Sequence, residues 1–291
     1  MSKTINANVM SRLLKMFSLS TEERFAHMLR EALRKGEKPA PPPKAPETRF
    51  EDRPDGRVFY ANEGSRSGTT VFYLHGGAYF MDLTRSHWKF LETLIKKADV
   101  QVVTPAYRLV PFAAYREAFD LVLPLYKEYC EAHPGQRIIL MGDSAGGGLA
   151  LALAEQFKAE GIRMPDGLVL LSPWVDISLD NEQIGGYAPV DPFLSVQPLR
   201  LCARYWTGGL DMHDWHVSPI FGDLEGIRHV TVFTGTREIL YPDITKFFSL
   251  LDDDPSNELI VGEGMVHVYP LFPIPEAELA MDTIIRALAR Q

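Results

Sequence analysis

Along this chain of 291 residues, apolar side chains gather in short runs of four or five, separated by longer stretches where they recur every three or four positions. The short runs lie at 57–61, 70–74, 100–104, 137–141, 168–171, 230–234 and 258–261 and are rich in valine, isoleucine, leucine and aromatic residues. They predict β-strands, most of them buried on both faces. The longer stretches, at 86–98, 113–132, 148–160, 197–205, 243–250 and 276–291, carry helical periodicity. Alternation of strand and helix calls for right-handed crossovers and a mostly parallel sheet covered by helices on both faces, so the expected fold class is α/β. No helix separates 57–61 from 70–74, and these two strands are expected to pair antiparallel.

Before the first strand, the chain to about residue 38 reads as two short amphipathic helices. Ser20 and Glu23 form a capping box for the second, and Phe25, Met28, Leu29 and Leu33 share its apolar face. That face needs a partner, either the body of the domain alone or a pocket that the helix also helps to cover. The run from Ala40 to Pro46 is a stiff connector, because proline fixes φ and donates no hydrogen bond. The expected division is 1–46 as N-terminal cap helices with the proline linker, and 47–291 as the catalytic domain with a cap-like insertion at about 181–216. No internal repeat is visible.

The formal net charge of −8 opposes a phosphate-binding surface, so nucleic acid is not an expected partner. Lys3, Arg12 and Lys15 are not followed by an apolar stretch of signal-peptide length, and nowhere do about 18 apolar residues run together. No membrane contact is expected, and the expected location is the cytoplasm. The two cysteines, Cys130 and Cys202, have neither metal-site spacing nor disulfide density, which fits free thiols in a reducing compartment. A homo-oligomer is compatible with the sequence, which carries no signal for one.

Chemistry concentrates in two glycine-rich segments. Gly142-Asp143-Ser144-Ala145-Gly146 follows the run 137–141 and opens a helix near Gly148. A serine at a sharp strand-to-helix turn, flanked by small residues, is the geometry of a nucleophile elbow. His75-Gly76-Gly77-Ala78-Tyr79 follows the run 70–74. Glycines there let the backbone approach a substrate, so Gly76 and Gly77, with the amide of Ala145, are the candidate donors to an oxyanion.

A serine nucleophile needs a histidine base and a carboxylate to orient it. Of the eight histidines, only His267 lies in a loop between the last strand and the terminal helix; His27 is on a helix, and His87, His133 and His229 border regular elements. Among carboxylates after the run 230–234, Glu238 comes first, while Asp243 follows Pro242 as a helix N-cap would. Glu238 is the expected acid and Asp243 the alternative. Tyr79, Trp88 and Trp174 are candidates to line the substrate pocket. Asp211, His213, Asp214 and His216 lack helical spacing, and no metal site is expected from them.

Together these segments resemble the hormone-sensitive-lipase-like family of α/β-hydrolases, carboxylesterases with an H-G-G oxyanion motif, over roughly residue 55 to the end. Besides 75–79 and 142–147, the similarity takes in Tyr107-Arg108-Leu109, Ser172-Pro173-Trp174 and Ser218-Pro219. Ala78 stands where a third glycine is often found, and Glu238 where aspartate is commoner. The resemblance implies an α/β-hydrolase fold and hydrolysis of small-molecule esters through an acyl-enzyme, with no cofactor; the small lid formed by the N-terminal helices and the irregular stretch from about Asn181 to Trp215, with the bulky Tyr79, Trp88 and Trp174, points to short-chain acyl groups. An amidase or formamidase would use the same triad, and a binding protein on this fold could dispense with His267. A carboxylate-nucleophile hydrolase would need an acid at position 144.

Overall fold

A computed structural model describes residues 21–41, 43 and 48–290. Eight strands form one sheet: β1 (Thr48–Arg53), β2 (Gly56–Ala61), β3 (Thr69–Leu74), β4 (Gln101–Tyr107), β5 (Arg137–Asp143), β6 (Gly167–Leu171), β7 (Val230–Arg237) and β8 (Glu258–Val266), in the order β1-β2-β4-β3-β5-β6-β7-β8. From β4 onward in that order every pair is parallel, whereas β1–β2 and β2–β4 are antiparallel.

The antiparallel pairing expected between 57–61 and 70–74 is therefore not formed. β4 enters between them, with Val58 opposite Pro105 on one side and Val71 opposite Val102 on the other. β1 had no apolar signal: its sequence TRFEDR is half exposed, and it is held to its neighbours by ladder bonds and by pairs such as Arg57–Asp52 and Arg49–Glu63.

Strand alternation divides the core in two. Phe72, Leu74, Leu140, Leu168 and Val232 face α3 (Tyr115–Ala132), α4 (Ala145–Ala159) and α7 (Tyr241–Leu250). Val71, Tyr73, Met141, Val169 and Phe233 face α2 (Arg85–Ala98) and α8 (Pro275–Ala289). Between β6 and β7 lie α5 (Ile184–Tyr187) and α6 (Val196–Trp206).

The N-terminal helix α1 (Glu22–Lys35) is capped by Thr21, whose side chain accepts from the Arg24 N–H. Ser20, and the first of the two expected N-terminal helices, lie outside the described residues. Phe25 is buried edge-on against Phe80, directly after the H-G-G segment, and Met28 and Leu29 pack on the same core. Leu33, expected on this face, is instead 55% exposed. Cys130 and Cys202 are both free. Among the described residues no helix is long and apolar enough to cross a membrane.

One buried carboxyl group in this core makes stability depend on pH. Glu155 of α4 is 4% exposed, and its charged form is favoured only weakly, by the Asp223 backbone N–H and by Lys158. Burial pushes its pKa up to about 9. The unfolded chain loses this proton near the ordinary carboxylate value while the folded chain keeps it, so stability falls as pH rises from about 4.5 toward 9. Glu155→Gln, which stays neutral, is expected to melt with wild type below about pH 4 and above it near pH 9. Parallel melting curves across that range would contradict a protonated Glu155.

Candidate active site

The apolar strand β5 ends at Asp143, and α4 begins at Ala145, two positions after the strand and three before the helix start expected at Gly148. Ser144 is the N-cap, held at φ 52°, a left-handed conformation unusual for serine. Its N–H donates to Leu171 O at 2.8 Å, and its carbonyl accepts from the Trp174 N–H at 2.9 Å. The turn can be this tight because residue 146 is glycine: a Cβ there would lie 2.1 Å from Leu74 O.

His267 follows the end of β8, and Glu238 follows the end of β7. The two loops meet above Ser144. His267 Nε2 lies 2.8 Å from Ser144 Oγ, and His267 Nδ1 lies 2.5 Å from Glu238 Oε2. All three residues are buried. With Nδ1–H donating to the carboxylate, Nε2 is free to accept the serine proton.

The other oxygen of Glu238 accepts three bonds, from Ser172 Oγ at 2.8 Å, Thr234 Oγ1 at 2.7 Å and the Gly235 N–H at 2.7 Å. Ser172 in turn accepts from the Val268 N–H, next to His267. Neither Ser172 nor Thr234 was singled out as part of the site. Their signal in the sequence is a hydroxyl at or just past the C-terminal end of an otherwise apolar strand.

Asp243 does not reach this cluster and does not cap its helix. It sits in the first turn of α7 behind the N-cap Leu240, is buried, and accepts from Asn181 Nδ2 at 2.7 Å. Burial pushes its pKa up to about 6.

The H-G-G segment requires one correction. The N–H of Gly76, expected to face a substrate oxygen, donates to Asp143 Oδ1 at 2.9 Å. Glycine is needed at 76 for a different reason: a Cβ would lie 2.2 Å from the other oxygen of Asp143. Among the described residues, the N–H groups of Gly77, Ala78 and Ala145 are among those in this region with no acceptor, as are those of Tyr79 and Gly146.

The residues 71–271 match the model of an α/β-hydrolase-fold family. An esterase of Acinetobacter venetianus is 32% identical over 219 residues, which span 74% of this chain and 72% of the relative. The chain belongs to the hormone-sensitive-lipase-like family of α/β-hydrolases, and it is a carboxylic ester hydrolase. An acetyl-hydrolase of Streptomyces hygroscopicus is 30% identical over 61% of this chain and 60% of its own length. Among solved structures, a putative esterase from Staphylococcus aureus superposes with TM-score 0.83 at 27% identity, covering 92% of both chains. A hormone-sensitive-lipase homologue from a metagenome library gives 0.82 at 25% identity, over 99% of both.

In this esterase the three aromatic candidates have different places. Tyr79 is buried and stacks on Trp206 at 3.7 Å between ring centroids, with Trp174 at 5.8 Å. These rings form the packing directly behind the H-G-G loop and the elbow. Trp88 does not join them. It lies on α2 and packs edge-on against Phe59 of β2, in a small cluster with Ala40, Ala106 and Leu83. Helical periodicity gives no sign of which neighbour a half-buried tryptophan meets.

A side chain the sequence did not flag stands beside His267. Phe193, between α5 and α6, lies 5.6 Å from the His267 ring and 6.2 Å from Phe272. It is anchored by the buried Asp191, which accepts from the N–H groups of Phe193, Leu194 and Ile239, the last adjacent to Glu238.

The Asp-His segment at 211–216 forms two separate local pairs. Asp211 accepts from the His213 N–H and lies 3.1 Å from its ring, and Asp214 does the same for His216 at 2.6 Å. Among the described residues no group of three or more histidine, cysteine or acidic side chains is placed to hold a metal.

Proposed function

We propose that this esterase cleaves short-chain acyl esters through an acyl-enzyme on Ser144, with His267 as base and Glu238 as the orienting acid. The observation that carries the reading is the unbroken chain Ser144–His267–Glu238, at 2.8 and 2.5 Å, next to three backbone N–H groups without acceptors. In the first step His267 Nε2 takes the Ser144 proton as Oγ attacks the ester carbonyl. The carbonyl oxygen becomes an oxyanion held by the amides of Gly77, Ala78 and Ala145, the first residue of α4, where the helix N-terminus also favours negative charge.

The tetrahedral species collapses as His267 returns its proton to the leaving alkoxide. A water, deprotonated by the same nitrogen, then attacks the acyl-enzyme, and the acid is released. No cofactor takes part in these steps. Throughout, Glu238 is held in place by Ser172, Thr234 and Gly235 and stabilises the imidazolium.

The preference for short acyl groups is supported by the dense aromatic packing of Tyr79, Trp174 and Trp206 behind the site and by Phe193 beside the base. The acetyl-hydrolase among its relatives agrees with it. Residues 181–216, which carry Phe193 and Trp206, together with α1, serve as the cap. With p-nitrophenyl esters, kcat/KM is expected to be highest from acetate to butyrate and to fall steeply toward laurate, with anilide analogues far slower. Faster turnover of the laurate than of the butyrate ester would refute the short-acyl assignment.

A further inference from the structure

The residue before the nucleophile carries a second buried carboxylate that the proposed mechanism does not use. Asp143 is 2% exposed. Its Oδ1 accepts from Tyr73 Oη at 2.5 Å and from the Gly76 N–H at 2.9 Å, and its Oδ2 lies 3.4 Å from His87 Nε2. Burial alone would raise its pKa, but His87, Tyr73 and the Gly76 N–H together hold it below the usual carboxylate value.

His87 is oriented from the other side. It lies in the first turn of α2, whose N-cap Thr84 donates its backbone N–H to His87 Nδ1 at 2.9 Å. An accepting Nδ1 leaves the ring proton on Nε2, so the imidazole presents N–H to Asp143. The helix cap thus fixes the tautomer of a buried histidine, and the histidine holds the carboxylate.

What the carboxylate holds is the segment that bears the Gly77 and Ala78 amides, two of the three proposed oxyanion donors. Ala78 and Tyr79 sit at φ 55° and 58°, a conformation that non-glycine residues keep only when their surroundings impose it. On its outer side the segment is fixed by Tyr107 Oη donating to His75 O at 2.6 Å, and by the Val110 N–H on Tyr79 O. On the side facing the nucleophile, the Gly76–Asp143 bond is the polar tie. Because Asp143 is also the last residue of β5, that bond sets the H-G-G loop against the same backbone that positions Ser144.

We infer that His87 and Tyr73, acting through Asp143, are positioning residues that latch the oxyanion-binding loop to the nucleophile strand. The inference rests on the serine mechanism proposed above. A loosened latch lets the Gly77 and Ala78 amides drift from the developing oxyanion, while ground-state ester binding, which does not use those bonds fully, changes little.

The test uses His87→Leu, which fills the space without a donor, His87→Gln, which restores both a donor and an acceptor, and the near-isosteric Tyr73→Phe. For His87→Leu, kcat on p-nitrophenyl butyrate should fall about 10- to 100-fold with KM within about twofold. The inhibition constant of an alkyl trifluoromethyl ketone, which adds to Ser144 and places its charge on the same amides, should rise in parallel. His87→Gln should recover most of both. Tyr73→Phe should show the same pattern in smaller measure, and it reads the latch even if His87→Leu fails to fold.

A purely structural role would lower the melting temperature and leave kcat and ketone affinity alone, and that result overturns the latch. So does a fall in kcat with ketone affinity unmoved. In parallel, phenylmethanesulfonyl fluoride should label Ser144 in wild type. If it does not, the serine mechanism itself fails; if it does while the variants behave as wild type, only the latch fails.

Discussion

Replacing Ser144 with alanine is expected to lower ester turnover by about four orders of magnitude or more, with the fold unchanged. The size follows from the triad acting as a unit: without Oγ, His267 has no nucleophile to deprotonate, and what remains is the contribution of the amides at 77, 78 and 145 to direct attack by water. The fold should survive because the strained backbone at residue 144 is imposed by its neighbours, through the bonds to Leu171 O and from the Trp174 N–H, and alanine meets the same constraint as serine. Steady-state kinetics with p-nitrophenyl butyrate and a thermal melt decide the matter. Near-wild-type hydrolysis by a folded Ser144→Ala protein would remove Ser144 from the chemistry.

The elements around this serine differed in how far the sequence disclosed them. Central strands such as 137–141 and 168–171 were legible because a parallel sheet buries both faces and leaves unbroken apolar runs. β1 was hidden by the reverse circumstance: an edge strand with charged side chains toward solvent has no such run, and its stability comes from its ladder with β2 and from ion pairs. Strand order was not legible either, since the insertion of β4 between β2 and β3 depends on a crossover that local pattern does not encode.

At the site, residue type could be read more reliably than role. The helix start expected near Gly148 falls three residues inside α4; glycines 146, 147 and 148 belong to the helix, at positions where Leu74, Pro173 and Trp174 pack too closely for a side chain. The sequence offers Gly76 and Gly77 as donors to substrate on the same ground, since both follow the strand end without a Cβ. Which amides remain unpaired is decided by Asp143, and nothing in the spacing of 76 and 143 reveals that the two touch. Ser172 and Thr234 were legible only as hydroxyls at the ends of strands, because their common partner, Glu238, lies on a loop that tertiary structure alone brings to them.

Glu238→Gln is expected to reduce kcat by about three to four orders of magnitude, and Asp243→Asn to leave it within a few-fold of wild type. At Glu238 the three donors from Ser172, Thr234 and Gly235 converge on Oε1. A glutamine keeps its carbonyl oxygen there, since its NH2 cannot accept from the Gly235 N–H and would oblige the hydroxyls of Ser172 and Thr234 to turn from donors into acceptors. Its NH2 then faces His267 Nδ1, which has to become an acceptor, and the ring proton moves to Nε2. In that tautomer Nε2–H points at Ser144 Oγ and cannot take its proton.

Asp243 has the opposite environment. One oxygen accepts from Asn181, the other has no partner among the described residues, and burial raises its pKa to about 6. Asparagine keeps the acceptor and removes a charge that the folded state disfavours above that pH. The folded pKa lies above the ordinary value, so the aspartate's cost is absent below about pH 3, grows as pH rises past 3.8 and is fully present by about pH 7. Asp243→Asn should therefore equal wild type in acid and melt no lower than it at neutral pH. Kinetics and melts of the two variants side by side separate the roles: turnover lost in Asp243→Asn and retained in Glu238→Gln, with both folded, would exchange them.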